Sequence, residues 1–129
     1  MGGRRMTLVL RIPGRPISSN DRGHWATKAR KIKQTRKRAY DLALAEWGHP
    51  SAVRGTLTYP VTVTVADECR TANLRDTANA HPAVKAAIDA LTDYGLWPDD
   101  GPAHVGRIVY LPATKTGADG LVITIEGAQ

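Results

Sequence analysis

The amino-acid sequence predicts an α/β (α+β) domain, a small mixed β-sheet with two main helices in the order β-α-β-α-β-β. Three observations carry that prediction. Val61, Val63 and Val65 alternate with Thr62 and Thr64, the period-two pattern of a strand buried on one face. Val84, Ala87, Ile88 and Leu91 recur at i, i+3, i+4 and i+7, the stripe of a helix packed along one side. A longer helical pattern precedes both, between turn-rich segments. At 129 residues, with 42% hydrophobic and 23% charged side chains, the chain reads as one globular domain, 1–129, able to bury a real core. No apolar run approaches the roughly eighteen residues of a membrane span, so no membrane partner is expected.

Residues 7–12 (TLVLRI) form a first strand, closed by Pro13-Gly14. The strand reading also displaces that of a signal peptide, since Arg11 cuts the apolar run and no small-residue cleavage site follows. Ser18, Ser19, Asn20 and Asp21 are all able to cap a helix that starts near His24. The helix of residues 25–47 carries Lys28, Arg30, Lys31, Lys33, Arg36, Lys37 and Arg38, with Arg22 just ahead and no acid between Asp21 and Asp41. Its apolar positions Trp25, Ala29, Ile32, Ala39, Leu42, Ala43 and Trp47 are sparse in the basic half, which must therefore be largely solvated. Gly48, His49 and Pro50 stop it.

Residues 56–66 read as a half-buried strand that Pro60 places at an edge or a bulge. The polar connection DECRTANLRDTAN delivers Asp76 to the start of the next helix, where Pro82 sits in the first turn with Asn79 or His81 as its cap. Lys85 and Asp89 are i, i+4 neighbours, by themselves a surface ion pair. Gly95 ends the helix, Trp97 and Pro98 anchor a corner, and Asp99-Asp100 follow. Strands at 105–111 and 120–126, joined by a loop with Gly117-Ala118-Asp119-Gly120 turn chemistry, finish the chain.

Charge is divided along this order. Of the 18 Lys and Arg, thirteen precede Asp67, against three of the 12 acids. The basic half suits a polyanion and the acidic half a cation. One-sign clustering on a helix is self-repelling, and nucleic-acid phosphates are the partner that relieves it. If about six of these cations touch phosphates, affinity falls roughly a thousandfold between 50 and 200 mM salt. On the acidic side, Asp76 lies before one helix and Asp99 with Asp100 after it. Should they meet, two carboxylates about 4 Å apart repel by roughly 4 kcal/mol at an effective dielectric near 20, so a cation must sit between them. Magnesium, which takes one or two carboxylates plus substrate phosphate, is the simplest such cation. The expectation is metal-assisted chemistry on a phosphodiester.

Other classes are disfavoured. His24, His49, His81 and His104 fall in no zinc spacing, no Gly-rich phosphate loop calls for a nucleotide cofactor, and no nucleophilic triad order is evident. Trp25, Trp47 and Trp97 read as packing anchors rather than base-stacking platforms. A helix-turn-helix regulator needs a second helix close behind the first, and the sequence after Trp47 turns into a strand instead. The lone Cys69 admits no internal disulfide and suits a reducing, intracellular setting.

The loop PISSNDRGHW before a basic helix, then Asp76-x-x-Asn79, Lys85-x-x-x-Asp89-x-Leu91 and Asp99-Asp100 before a strand, together resemble the RusA-type crossover-junction endodeoxyribonucleases. The resemblance runs from about Pro13 to Leu111. It implies a homodimeric, magnesium-dependent nuclease, with manganese as a substitute, that binds four-way (Holliday) DNA junctions and nicks two strands symmetrically. It also implies a bacterial cytoplasmic setting, with phage or prophage origin common. Carried over, Asp76 matches the first aspartate of the family's Asp-x-Asp-Asn motif and Asn79 its asparagine. Lys85 matches the essential lysine, and Asp100, with Asp99 beside it, the downstream metal-binding aspartate. The catalytic set implied is Asp76, Lys85 and Asp100. Asn20, Arg22, Lys28, Arg30, Lys31, Lys33, Arg36, Lys37 and Asn79 face DNA. Ala78 stands where the motif has its second aspartate, and three extra residues separate Asn79 from Lys85. A substitute ligand, Asp89, His81 or Asp99, is then required, or the chain binds branched DNA without cutting it.

Overall fold

The computed structural model describes residues 7–128. Strand β1 (Thr7–Pro13) leads through a turn-rich segment to helix α1 (Trp25–Trp47), then to strand β2 (Val61–Cys69) and helix α2 (His81–Tyr94). Strands β3 (Val105–Tyr110), β4 (Thr114–Lys115) and β5 (Gly120–Glu126) follow. All five strands join one mixed sheet in the order β1-β5-β2-β3, with β4 paired to the far end of β2. β5 runs antiparallel to both β1 and β2, while β2 and β3 are parallel.

The expected α/β class and small mixed sheet are present, and period two explains the core. Leu8, Leu10 and Ile12 of β1, Val61, Val63 and Val65 of β2, and Leu121, Ile123 and Ile125 of β5 all point to one face. They form a single hydrophobic cluster with Val84, Ala87, Ile88 and Leu91 of α2 and with Ala39 and Ala43 of α1. The sparse stripe of α1 is visible here: only Ala39 and Ala43, both in its second half, are buried.

Several local expectations are corrected. β2 begins after Pro60 and is an interior strand rather than an edge, because β5 and β3 flank it, while the other alternative, a bulge, agrees with a register shift against β3 between Val61 and Thr62. It also extends three residues beyond Ala66, so Asp67, Glu68 and Cys69 belong to the strand rather than to the connection. The two final long strands are not neighbours, since β5 returns across the sheet to separate β1 from β2. Helix α1 is capped by His24, whose ring accepts the Ala26 N–H, while Ser18, Asn20 and Asp21 close a turn of their own. Helix α2 is entered through a 3-10 turn (Thr77–Ala80) capped by Asp76, so neither Asn79 nor His81 is the cap. Gly48 and Gly95 end the helices as expected, both at positive φ where only glycine is unstrained. Among the described residues no helix is long and apolar enough to cross a membrane.

Candidate nuclease site and nucleic-acid interface

Two charged clusters stand out, one on the outer face of α2 and one at the end of β2. The first is open to solvent. Lys85 Nζ donates to Asp89 Oδ1 at 3.0 Å, one helical turn on, and to Asp100 Oδ2 at 2.8 Å, from the loop before β3. Both contacts raise the Lys85 pKa, Asp100 more than Asp89, so the side chain is firmly an ammonium at neutral pH. Arg36 of α1 reaches the same cluster. Its guanidinium forks onto Asp93 at 2.7 and 2.8 Å and approaches Asp89 at 3.9 Å. That hydrogen bonding holds the Asp93 carboxyl below its ordinary range. Charges thus run without a gap from the basic helix across α2 to Asp100. Asp99 turns elsewhere: Oδ1 accepts the Gly101 N–H at 2.9 Å and faces His104 Nδ1 at 3.3 Å, and these contacts, the backbone one first, lower its pKa.

The second cluster lies under Asp76. Arg75 forks onto buried Asp67, with Nη2 2.7 Å from Oδ1 and Nε 3.1 Å from Oδ2; it also donates to the Glu68 carbonyl at 2.7 Å and to Asp119 at 3.0 Å. These carboxylates, Asp67 first, push the guanidinium pKa upward. The clamp ties the end of β2 to the loop before β5 and fixes the backbone that presents Asp76. Asp76 itself is exposed and accepts the Ala78 N–H at 3.2 Å. Together with Arg15, Asn20, Asp21 and Asn79 it lines a cavity of about 250 Å³. The N-terminal loop is stitched to this cavity, since Ser19 N donates to the Asn79 carbonyl at 2.7 Å. His81, considered as a substitute ligand, pairs its Nδ1 with the Tyr110 hydroxyl at 3.3 Å.

Asp76 and Asp100 approach α2 separately: Asp76 follows the C-terminal end of β2 and caps the turn that enters the helix, while Asp100 precedes β3 and reaches Lys85 in the second turn of the helix. Asp100 does not line the cavity described around Asp76. Among the described residues no three His, Cys, Asp or Glu side chains converge so as to hold a metal. The donor chemistry of the open cluster nevertheless fits magnesium. Asp89 and Asp100 present hard oxygens that already share one cation, the Lys85 ammonium, and magnesium takes one or two carboxylates together with water and phosphate.

On α1, Arg36 pairs with Asp93 at 2.7 Å and Lys37 with Asp41 at 2.9 Å, both contacts lying at the surface. Arg22, Lys28, Arg30, Lys31 and Lys33 make no ion pair among the described residues. Arg38 and Lys31 join Arg15 around a larger cavity of about 420 Å³ between the end of β1 and α1. Of the three tryptophans, Trp97 is buried with Nε1 donating to Thr92 Oγ1, and Trp47 packs against the core. Trp25 is not an anchor: it is 76% exposed.

The residues missed in the sequence are Asp67, Arg75 and Asp119. A signal for the first was present, because the alternation Val61, Val63, Val65 continues in phase to Asp67 and Cys69 and predicts an acid on the buried face.

No protein-family model matches the chain. Over 123 residues it is 31% identical to the RusA crossover junction endodeoxyribonuclease of Escherichia coli K12, and equally to that of Escherichia coli O1:K1 / APEC, across 95% of this chain and 98% of each relative. Identity of that extent spans both charged clusters, the basic helix and the sheet that carries them. On this end-to-end kinship the chain belongs to the RusA family of crossover junction endodeoxyribonucleases.

Proposed function

We propose that this chain is a structure-selective endodeoxyribonuclease that binds four-way DNA junctions and resolves them by paired nicks. The observation that carries the reading is the open Lys85-Asp89-Asp100 cluster, joined through Arg36 to the basic helix. A group able to hold a metal and stabilise phosphate charge thereby borders a surface able to hold phosphates. Kinship with relatives named as crossover junction endodeoxyribonucleases supports the substrate.

In this reading magnesium, or manganese in its place, would be held by Asp100 and Asp89, whose oxygens already share the Lys85 ammonium, with Asp76 or Asp99 as the further donor that the family motif implies. When bound, it lowers the pKa of a water and offsets charge on the scissile phosphate. Lys85, kept cationic by its two carboxylates, is the preorganised charge for the developing oxyanion or the leaving oxygen. Arg22, Lys28, Arg30, Lys31 and Lys33, with Asn20 and Asn79 from the loop, hold flanking backbone. Such contacts position the protein without reading bases. A two-fold homodimer supplies one site per cut strand.

The test is a labelled four-way junction incubated with the parent protein and its Asp76→Asn and Asp100→Asn variants, with magnesium or manganese. Symmetric nicks by the parent, abolished in both variants while binding persists, support the proposal. Ala78 favours a second reading, a branched-DNA binder that does not cut, and binding without nicks under either ion selects it.

A further inference from the structure

We propose that Trp25, backed by His24, is a stacking platform for an unpaired base of the DNA held by α1. This rests on the nucleic-acid reading above and assigns a side chain to the contact with unpaired bases.

Trp25 is the first residue of α1 and is 76% exposed, while the other two tryptophans are used in packing. Its only ring neighbour among the described residues is His24, with centroids 5.5 Å apart and planes inclined at 31°. The His24 ring is itself pinned, because its Nδ1 accepts the Ala26 N–H at 3.2 Å as the helix cap. A fixed imidazole thus stands beside a solvent-facing indole at the start of the helix.

The surroundings decide what covers them. Arg22, Lys28 and Lys31 line the hollow beside His24 against one acid, Asp21, and Lys28 lies one turn along α1 from Trp25. The other exposed large apolar side chains, Val9, Leu44, Leu74, Ile108 and Leu111, all lie on other elements or, for Leu44, at the far end of α1. A protein partner's apolar surface needs a contiguous patch, and none of the other exposed apolar side chains adjoins Trp25, whereas one broad ring among mostly cationic neighbours suits a base and its phosphates. Paired bases inside a duplex offer no free face. Bases at a branch point or in a single strand do.

The probes are labelled oligothymidylate and a fully paired duplex of equal length, bound in EDTA so that cleavage plays no part. Trp25→Ala is expected to weaken oligothymidylate binding by about five- to a hundredfold, leave duplex affinity within about twofold, and be largely rescued by Trp25→Phe. Oligothymidylate is further expected to quench emission present in the parent and missing from Trp25→Phe. Unchanged thermal midpoints show that the variants fold. Equal loss on both DNAs, or loss on neither, overturns the platform while leaving the nuclease reading intact. A parent that binds neither DNA overturns both. Parent binding with no nicks in the junction assay removes cleavage alone and leaves the platform standing.

Discussion

The charged clusters on α2 and at the end of β2 both hold a cationic side chain between carboxylates, yet they are built for different ends. Around Arg75 the acid is buried, Asp67 being 1% exposed, and the guanidinium fork is spent on Asp67, the Glu68 carbonyl and Asp119. Around Lys85 everything is accessible: the lysine side chain is 55% exposed and Asp100 36%. A buried, saturated pair cannot release its cation without stranding a charge in low dielectric, so it acts as a fixed strut. An exposed ammonium is a compact point charge with water at hand, and it can yield its carboxylates to another cation at small cost. Location relative to solvent, more than residue type, separates scaffold from site.

The largest effect that tests this contrast is on folding. Arg75→Ala leaves Asp67 buried and unpaired and is expected to lower stability by about 3–5 kcal/mol, read as a shift of the urea midpoint. Arg75→Lys is expected to recover only part of it, since an ammonium lacks the fork that serves three partners. Next comes Lys85→Ala, expected to slow junction nicking by about a hundredfold while costing under about 1 kcal/mol in the same urea assay. An unfolding cost equal to that of Arg75→Ala would erase the distinction between the clusters.

The smallest effects are in pH. The Asp93 carboxyl is held low by Arg36, so its contribution is present above the unfolded carboxylate pKa of about 3.9 and is lost as pH falls through the lower folded value. At this surface site the term is a few tenths of a kcal/mol, about the size that Asp93→Asn should remove from the acid limb of a melting profile. Lys85 has the opposite sign. Its raised pKa gives a contribution present below the unfolded lysine value, near 10.4, and lost as pH climbs through the higher folded one.

How much of this was legible in the sequence depended on whether the governing contacts are local. Helix α1, the stripe of α2 and the stops at Gly48 and Gly95 were readable, because periodicity and glycine conformation act within a few residues. The Lys85-Asp89 contact was readable for the same reason. The insertion of β5 between β1 and β2 was not, because it pairs Leu10 with Ile123 and Val65 with Ile123 across distant parts of the chain. The caps were misassigned because several polar residues compete there, and His24 and Asp76 won through tertiary placement of the loop against Asn79. Trp25 departs from the expectation because helical phase alone does not show which side of the first turn of α1 faces solvent.

The return of β5 to the middle of the sheet has a consequence for folding. Among the described residues β1 pairs with β5 alone, more than a hundred residues further along, and β5 also closes the antiparallel side of β2. Joining β1 to the sheet is therefore a long-range closure, of the kind that slows folding. Removal of β5 would empty an interior lane of the sheet and orphan β1, rather than trim its rim.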